Sequence, residues 1–203
     1  MYKVGKFLQK DLDKLIPFMQ AHPFAVVIGA NQNIPSATQI PLQIKRDGDV
    51  IKLIGHVMRK TDHHYAFMAN ENVLALFHGA HAYVSASVYE DPASASTWNY
   101  SSVQAKGKIR LLGSEETRAV IKELTDQYEA NDSPAAFHKM SDEYINQHLK
   151  AIVGFEITLT SLEGVFKLSQ NHSRTNRESI VQHLSQSDDV QAQEVAKQMK
   201  DLQ

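Results

Sequence analysis

Ile40-Pro41-Leu42-Gln43-Ile44-Lys45-Arg46-Asp47-Gly48-Asp49-Val50-Ile51-Lys52-Leu53-Ile54-Gly55-His56-Val57 carries the reading of the fold. Ile40, Leu42 and Ile44 alternate with polar neighbours, which predicts one strand over Ser36–Lys45 with a single buried face. Asp47-Gly48 supplies the backbone freedom of a tight hairpin and feeds a second strand, Val50–Val57. Strands joined by so short a turn pair antiparallel, because a parallel return needs a long crossover.

The same pattern extends outward. Before the hairpin, Leu12, Leu15, Ile16 and Met19 form one stripe of a helix predicted over Lys10–Ala21, kinked at Pro17 and ended by His22-Pro23. Phe24–Gly29 reads as a strand. After the hairpin comes a short helix over Thr61–Asn70, capped by Thr61 or Asp62, and then strands at Val73–Phe77 and Ala82–Val88. A small-residue loop at Glu90–Ser96 leads into a long strand, Trp98–Leu112, bent or bulged at Gly107. A helix capped by Ser114 should turn Val120, Ile121, Leu124 and Tyr128 inward. Ser141 opens another helix ending near Lys150, followed by strands at Ile152–Thr160 and Val165–Leu168. From Thr175 the chain is polar and helical, and its thin stripe of Val195, Met199 and Leu202 calls for packing on the body or on another subunit. Short links between most strands predict an α+β fold, mostly antiparallel: a small barrel flanked by helices.

Composition narrows the chemistry. The 203 residues are 42% hydrophobic and 22% charged, as in an ordinary globular chain, with room for one core and an appendage. Lys and Arg total 21 against 23 Asp and Glu, which gives no basic surplus for general nucleic-acid binding. Cysteine is absent, which excludes disulfides, thiolate metal sites and thiol nucleophiles, so redox chemistry would rest on a bound cofactor. There is no signal-peptide core, and no apolar run approaches the ~18 residues of a membrane span; a cytoplasmic location is the default expectation. The ten histidines include His63-His64 and the pair His78/His81, neither with a zinc-site spacing, and no metal site is expected.

Motif by motif, functional and plain readings compete. GxGxxG, GxxxxGK[ST] and GxSxG are all missing. Gly55-His56-Val57-Met58-Arg59-Lys60 sets two permanent cations between a strand end and a helix start, where a phosphate could be held; on composition alone a solvated basic turn explains them slightly better. Lys106, Lys108 and Arg110 alternate on one strand and read better as a solvated edge than as an anion site. Thr97-Trp98-Asn99-Tyr100 suits a flat polar ring, yet a core tryptophan is as good a reading. Lys167-Leu168-Ser169-Gln170-Asn171 is either a polar site after a strand or a plain turn.

Taken together these runs resemble the PaiB family, FMN-binding split-barrel proteins named as negative transcriptional regulators. Its marks include Ala21-His22-Pro23-Phe24-Ala25, Gly79-Ala80-His81-Ala82-Tyr83-Val84-Ser85, Thr97-Trp98-Asn99-Tyr100 and Lys167-Leu168-Ser169-Gln170-Asn171, in order across about residues 1 to 184. The resemblance implies a split-barrel domain over 1–172 and a C-terminal helical extension over 173–203. It also implies a homodimer with FMN in an interface groove. Cofactor contacts would come from Thr38 and Gln39, from His56, Val57, Arg59 and Lys60, from Trp98 and Asn99, and from Gln170 and Asn171. Departures lie at Thr61-Asp62-His63-His64, where relatives usually have Asn-Pro-Gln-Trp, at Val88, at Ala80 and at Val165.

Two functions follow. One is a flavin-dependent sensor or transcriptional regulator, although no recognition-helix signature supports direct DNA contact. The alternative is an FMN-dependent oxidoreductase acting on a small molecule, with His56, His81 or Tyr83 moving a proton and the catalytic residue unassigned. Haem binding ranks below both, because no histidine is singled out as an axial ligand.

Overall fold

The computed structural model describes residues 4–201. Among these residues, eight strands and six α-helices follow in the order β1 (Leu8–Gln9), α1 (Leu12–Ala21), β2 (Phe24–Asn31), β3 (Ile34–Pro41), β4 (Gln43–Asp47), β5 (Val50–Met58), α2 (Asp62–Ala69), β6 (Asn72–Val84), β7 (Thr97–Leu111), α3 (Ser114–Tyr128), α4 (Asp142–Leu149), β8 (Ile152–Lys167), α5 (Arg174–Ser185) and α6 (Val190–Asp201). The sheet runs β3-β2-β6-β7-β8-β5-β4, with β1 paired to β8. The pairings of β2 with β3 and β6, of β4 with β5, of β5 with β8 and of β1 with β8 are all antiparallel. This is the expected α+β split barrel with C-terminal helices.

The chain forms two compact units. The first holds the residues up to Phe18, His78–Gln104 and those from Glu163 onward; the second holds Met19–Phe77 and Ala105–Leu162.

In the second unit the predicted strand over 36–45 is two strands. Leu42 breaks it: its N–H donates to the Pro23 carbonyl at 2.9 Å, and its side chain is 1% exposed. Pro41, just before it, has no N–H to offer a ladder. The break sends β3 to one end of the sheet and β4 to the other, so one stretch of chain supplies both ends. The hairpin turns as expected, Asp47 opposite Val50 and Gly48 at φ +57°. At the β2–β3 turn Gln32 and Asn33 both take positive φ, 49° and 67°, the geometry that matches the right-handed twist of a two-residue hairpin.

Two glycines make room for two phenyl rings. A Cβ on Gly29 would sit 2.8 Å from the Phe67 ring, and one on Gly55 would sit 2.8 Å from the tip of Phe155. The rings meet edge-on, with centroids 5.9 Å apart at 61°. Gly107, where a bulge was expected, lies inside the continuous β7; its Cβ would stand 2.5 Å from the Thr158 carbonyl oxygen.

Helix starts follow the sequence closely. Thr61 caps α2 by accepting from the His64 N–H, and Ser141 caps α4 through the Tyr144 N–H. The α3 start is shifted by one: Gly113 is the cap, its N–H held by Glu116 Oε2 at 3.0 Å, and Ser114 is the first helical residue. Val120 is buried in α3, Ile121 and Leu124 half-buried, and Tyr128 60% exposed, because the stripe runs out before the helix ends.

In the first unit, α5 and α6 contribute Ile180, Val181, Leu184, Val195 and Met199 to one buried cluster with Ala80, Ala82 and Val84 of β6. Val195 and Met199 are fully buried, as their spacing predicts; Leu202 lies outside the described residues. β6 is one strand where two were predicted. Its buried positions are Val73, Ala75 and Phe77, then Ala80, Ala82 and Val84, a change of parity at His78-Gly79 that breaks the alternation without breaking the strand. Ala86–Val88, expected to extend that strand, is a 3-10 turn capped by Ser85. The two strands predicted over 152–168 are likewise one, β8.

Candidate functional site

Four of the expected cofactor residues line one groove of the second unit. Thr38 and Gln39 come from β3, and His56 and Val57 from β5. Ile40, Pro41, Met58, Thr61, His63 and Ile152 complete a space of ≈ 320 Å³. This is at the small end of the range of about 300–1,000 Å³ for small-molecule sites. β3 is the last strand of the sheet, so one edge of its backbone has no strand partner among the described residues. His56 presents a buried Nδ1 with no hydrogen-bond partner, and burial holds its pKa below the ordinary 6.5.

Arg59 and Lys60 follow between the lining residues Met58 and Thr61. Arg59 is half committed: its N–H donates to the Ala151 carbonyl at 2.8 Å and its Nε to the Ile152 carbonyl at 2.8 Å. Neither side chain pairs with a carboxylate among the described residues. Lys60 takes φ +63°, a conformation costly for a side chain bearing a Cβ, and its N–H donates to Nδ1 of His64 at 3.1 Å. His64, weighed from the sequence as a metal ligand beside His63, sits four residues along and is 7% exposed. The helix start itself is partly spent, since the Asp62 carboxylate takes the His63 N–H at 2.8 Å. What this turn offers an anion is therefore chiefly its two cations.

His64 must be unprotonated at Nδ1 to accept from Lys60. Burial first, then the Arg59 and His63 charges, push its pKa below 6.5. The unfolded chain then takes up protons before the folded one, so stability falls as pH drops below about 6.5 and levels off below the folded-state pKa. His56 acts in the same direction. The melting temperature is expected to be level above this window and to fall by several degrees towards pH 5. His64→Gln, which keeps an acceptor and removes the titration, should flatten part of that slope; an unchanged slope would exclude His64 as a source.

The remaining expected residues lie in the first unit, and there the two most specific motifs serve each other. Asn99, fully buried, donates from Nδ2 to Ser169 Oγ at 2.9 Å and accepts from it at Oδ1 at 3.1 Å. Lys167 Nζ donates to Thr97 Oγ1 at 2.5 Å and to the Trp98 carbonyl at 2.6 Å, with its pKa lowered by burial. Gln170 turns back onto its own strand end, donating to the Phe166 carbonyl at 2.5 Å and accepting the Leu168 N–H at 2.7 Å. Ser169 takes φ +60° in this clamp. Asn171 is exposed. Trp98 is 52% exposed, with the His81 and Tyr83 rings centred 5.8 and 5.9 Å away. Asn99 and Gln170 thus spend their polar groups within the fold, while Trp98 presents an open aromatic surface.

In the other cationic run two of the three charges are paired: Lys108 with Glu71, and Arg110 with Glu116 at 3.0 Å. Among the described residues, no group of three His, Asp or Glu is gathered for a metal, and no helix is long and apolar enough to cross a membrane.

The fold is that of a split barrel, with a groove between β3 and β5 beside a basic turn. Residues 1–161 match the family described as "Putative FMN-binding domain", and the chain belongs to that family. It is 31% identical over 202 residues to Protease synthase and sporulation protein PAI 2 of Bacillus subtilis, covering 99% of this chain and 97% of that one. An uncharacterized protein of Emericella nidulans is 35% identical over 129 residues, 55% of this chain and 51% of that one. Among solved structures, the flavocytochrome Anf3 from Azotobacter vinelandii superposes with a TM-score of 0.63 at 13% identity, over 82% of this chain and 72% of that one. The FAD and heme binding protein from Mycobacterium smegmatis gives 0.62 at 14% identity, over 85% and 78%. At such identities these two likenesses concern the fold.

Proposed function

We propose that the chain binds FMN in the β3–β5 groove and acts as a flavin-dependent regulatory or sensory protein. The observation that carries this reading is the convergence of Thr38, Gln39, His56 and Val57 on one groove beside the carboxylate-free cations Arg59 and Lys60. The groove chemistry fits the group. Thr38, Gln39 and the free edge of β3 offer donors and acceptors to a flat heterocycle, and the orphaned His56 Nδ1 is a polar atom awaiting a partner. The phosphate would be held by the Nη groups of Arg59 and by Lys60. FMN, when bound, supplies electron and hydride transfer; the chain supplies position and charge.

A second copy of the chain would supply the rest of the wall. This accords with the small groove and with the exposed Met58, Tyr65 and Met68, at 61%, 49% and 63%. The regulatory side is supported by the full-length likeness to a protein named for sporulation. Direct DNA contact has no support in the net charge of -2.

Titrating FMN into the protein should quench flavin fluorescence and saturate at one FMN per chain, with light scattering giving a dimeric particle. Fluorescence left unchanged at micromolar protein would overturn the flavin reading. Rapid bleaching of the bound flavin by NADH or NADPH would instead turn the assignment towards an oxidoreductase.

A further inference from the structure

Arg177 lies one turn into α5, at the start of the buried stripe Ile180, Val181 and Leu184. Its Nε and Nη2 are both closed off from solvent, and neither has a hydrogen-bond partner among the described residues. These two nitrogens form one edge of the guanidinium, whose parallel N–H groups match two oxygens of a single carboxylate or phosphate. The adjacent carboxylates are engaged elsewhere: Glu178 Oε1 accepts from Arg174 Nε at 2.7 Å, and Glu90 Oε2 from Ser173 Oγ at 2.8 Å.

Tyr89, 7% exposed, adds a buried hydroxyl that also lacks a partner. It borders the same turn of helix. Its ring centroid lies 4.7 Å from that of His172, and the next residue, Glu90, donates its N–H to Asn176 Oδ1 at 2.7 Å. Burial and the nearby Tyr83 hold the phenol above its ordinary pKa, so it remains a donor. Two nitrogens of Arg177 in the first turns of α5, and the Tyr89 hydroxyl on the loop that bonds to Asn176 of that helix, are buried without a partner among the described residues, and folded chains rarely bury such groups unpaired.

We propose that the Arg177 edge and the Tyr89 hydroxyl form a binding site for a small oxyanion, a carboxylate or phosphate group, at the first turn of α5. The site lies within the first unit and uses none of the groove residues, so it stands or falls separately from flavin binding.

The test is thermal unfolding of the full chain in acetate, phosphate or chloride at equal ionic strength, alongside NMR of the Arg177 Nε–H. A saturable rise in melting temperature is expected with an oxyanion and not with chloride, reaching roughly 5–10 °C at about a hundredfold excess over Kd. The Nε–H resonance should move with the same midpoint. A response to acetate alone identifies a carboxylate, and a response to phosphate alone a phosphate group. Arg177→Met should abolish the rise, and Tyr89→Phe should weaken it several-fold. The proposal is overturned if the oxyanions do no more than chloride, or if Arg177→Met responds as the parent does. It is also overturned if the Nε–H signal stays fixed through the titration.

Discussion

Replacing Arg59 and Lys60 together by alanine is expected to weaken FMN binding about a hundredfold while leaving riboflavin binding nearly unchanged. Each charge-assisted bond to a phosphate contributes about 1.5–3 kcal/mol when well formed, and less where water competes. Lys60 is exposed and Arg59 half-buried, so a joint loss of about 3 kcal/mol is reasonable, or roughly two powers of ten in Kd. Riboflavin lacks the phosphate and serves as the internal control. The single variants should differ in kind. Lys60→Ala removes a point charge at a left-handed position and should leave stability near the parent's. Arg59→Ala also removes the Nε bond to the Ile152 carbonyl, so it should lower the melting temperature as well as the affinity. Equal affinity of the double variant for FMN and the parent's value, measured by fluorescence titration, would place the phosphate elsewhere.

The largest stability effect is expected where Gly55 faces Phe155. Phe155 is fully buried, and Phe155→Ala should cost about 3–5 kcal/mol through lost transfer energy and the cavity left behind. That is a large share of the roughly 5–15 kcal/mol that holds an ordinary domain. Gly55→Ala errs the other way. Its new methyl would lie 2.8 Å from Phe155 Cζ, 3.1 Å from Leu42 Cδ2 and 3.3 Å from Ile40 Cγ2, for a cost of about 1–3 kcal/mol. The two positions share one space, so their effects should not add. Gly55→Ala combined with Phe155→Leu should cost about 1 kcal/mol less than the sum of the single changes. Urea unfolding of the four proteins measures this coupling directly. Strict additivity would mean that the ring does not occupy the space the glycine clears.

The residues themselves declared a good deal. Asp47-Gly48 marked the hairpin, Thr61 and Ser141 marked helix starts, and the stripe through Val195 and Met199 marked a helix that must pack. These are local signals: a cap, a turn or a stripe depends on atoms within a few residues, so the sequence suffices to read them. The groove side of the candidate site came from the family resemblance and not from any local signal: Thr38 and Gln39 lie on β3, His56 and Val57 on β5, and folding lines one groove with all four.

What only the tertiary structure decided depends on partners far along the chain. Alternation at Ile40, Leu42 and Ile44 looked like one strand. The break at Leu42 is set by the Pro23 carbonyl and by burial against the barrel interior, neither visible from the alternation. The parity change in β6 looked like a gap for the same reason. Asn99 and Ser169 stand 70 positions apart, so their motifs read as two polar sites until folding joined them as one clamp. His64 reveals its acceptor role only because Lys60 adopts a positive φ. The order of residues along this chain determined most of its elements, since these follow from near-neighbour energetics. Which polar groups remained free for a ligand was decided by the tertiary structure, because a hydrogen bond already made to a distant part of the fold withdraws a side chain from binding.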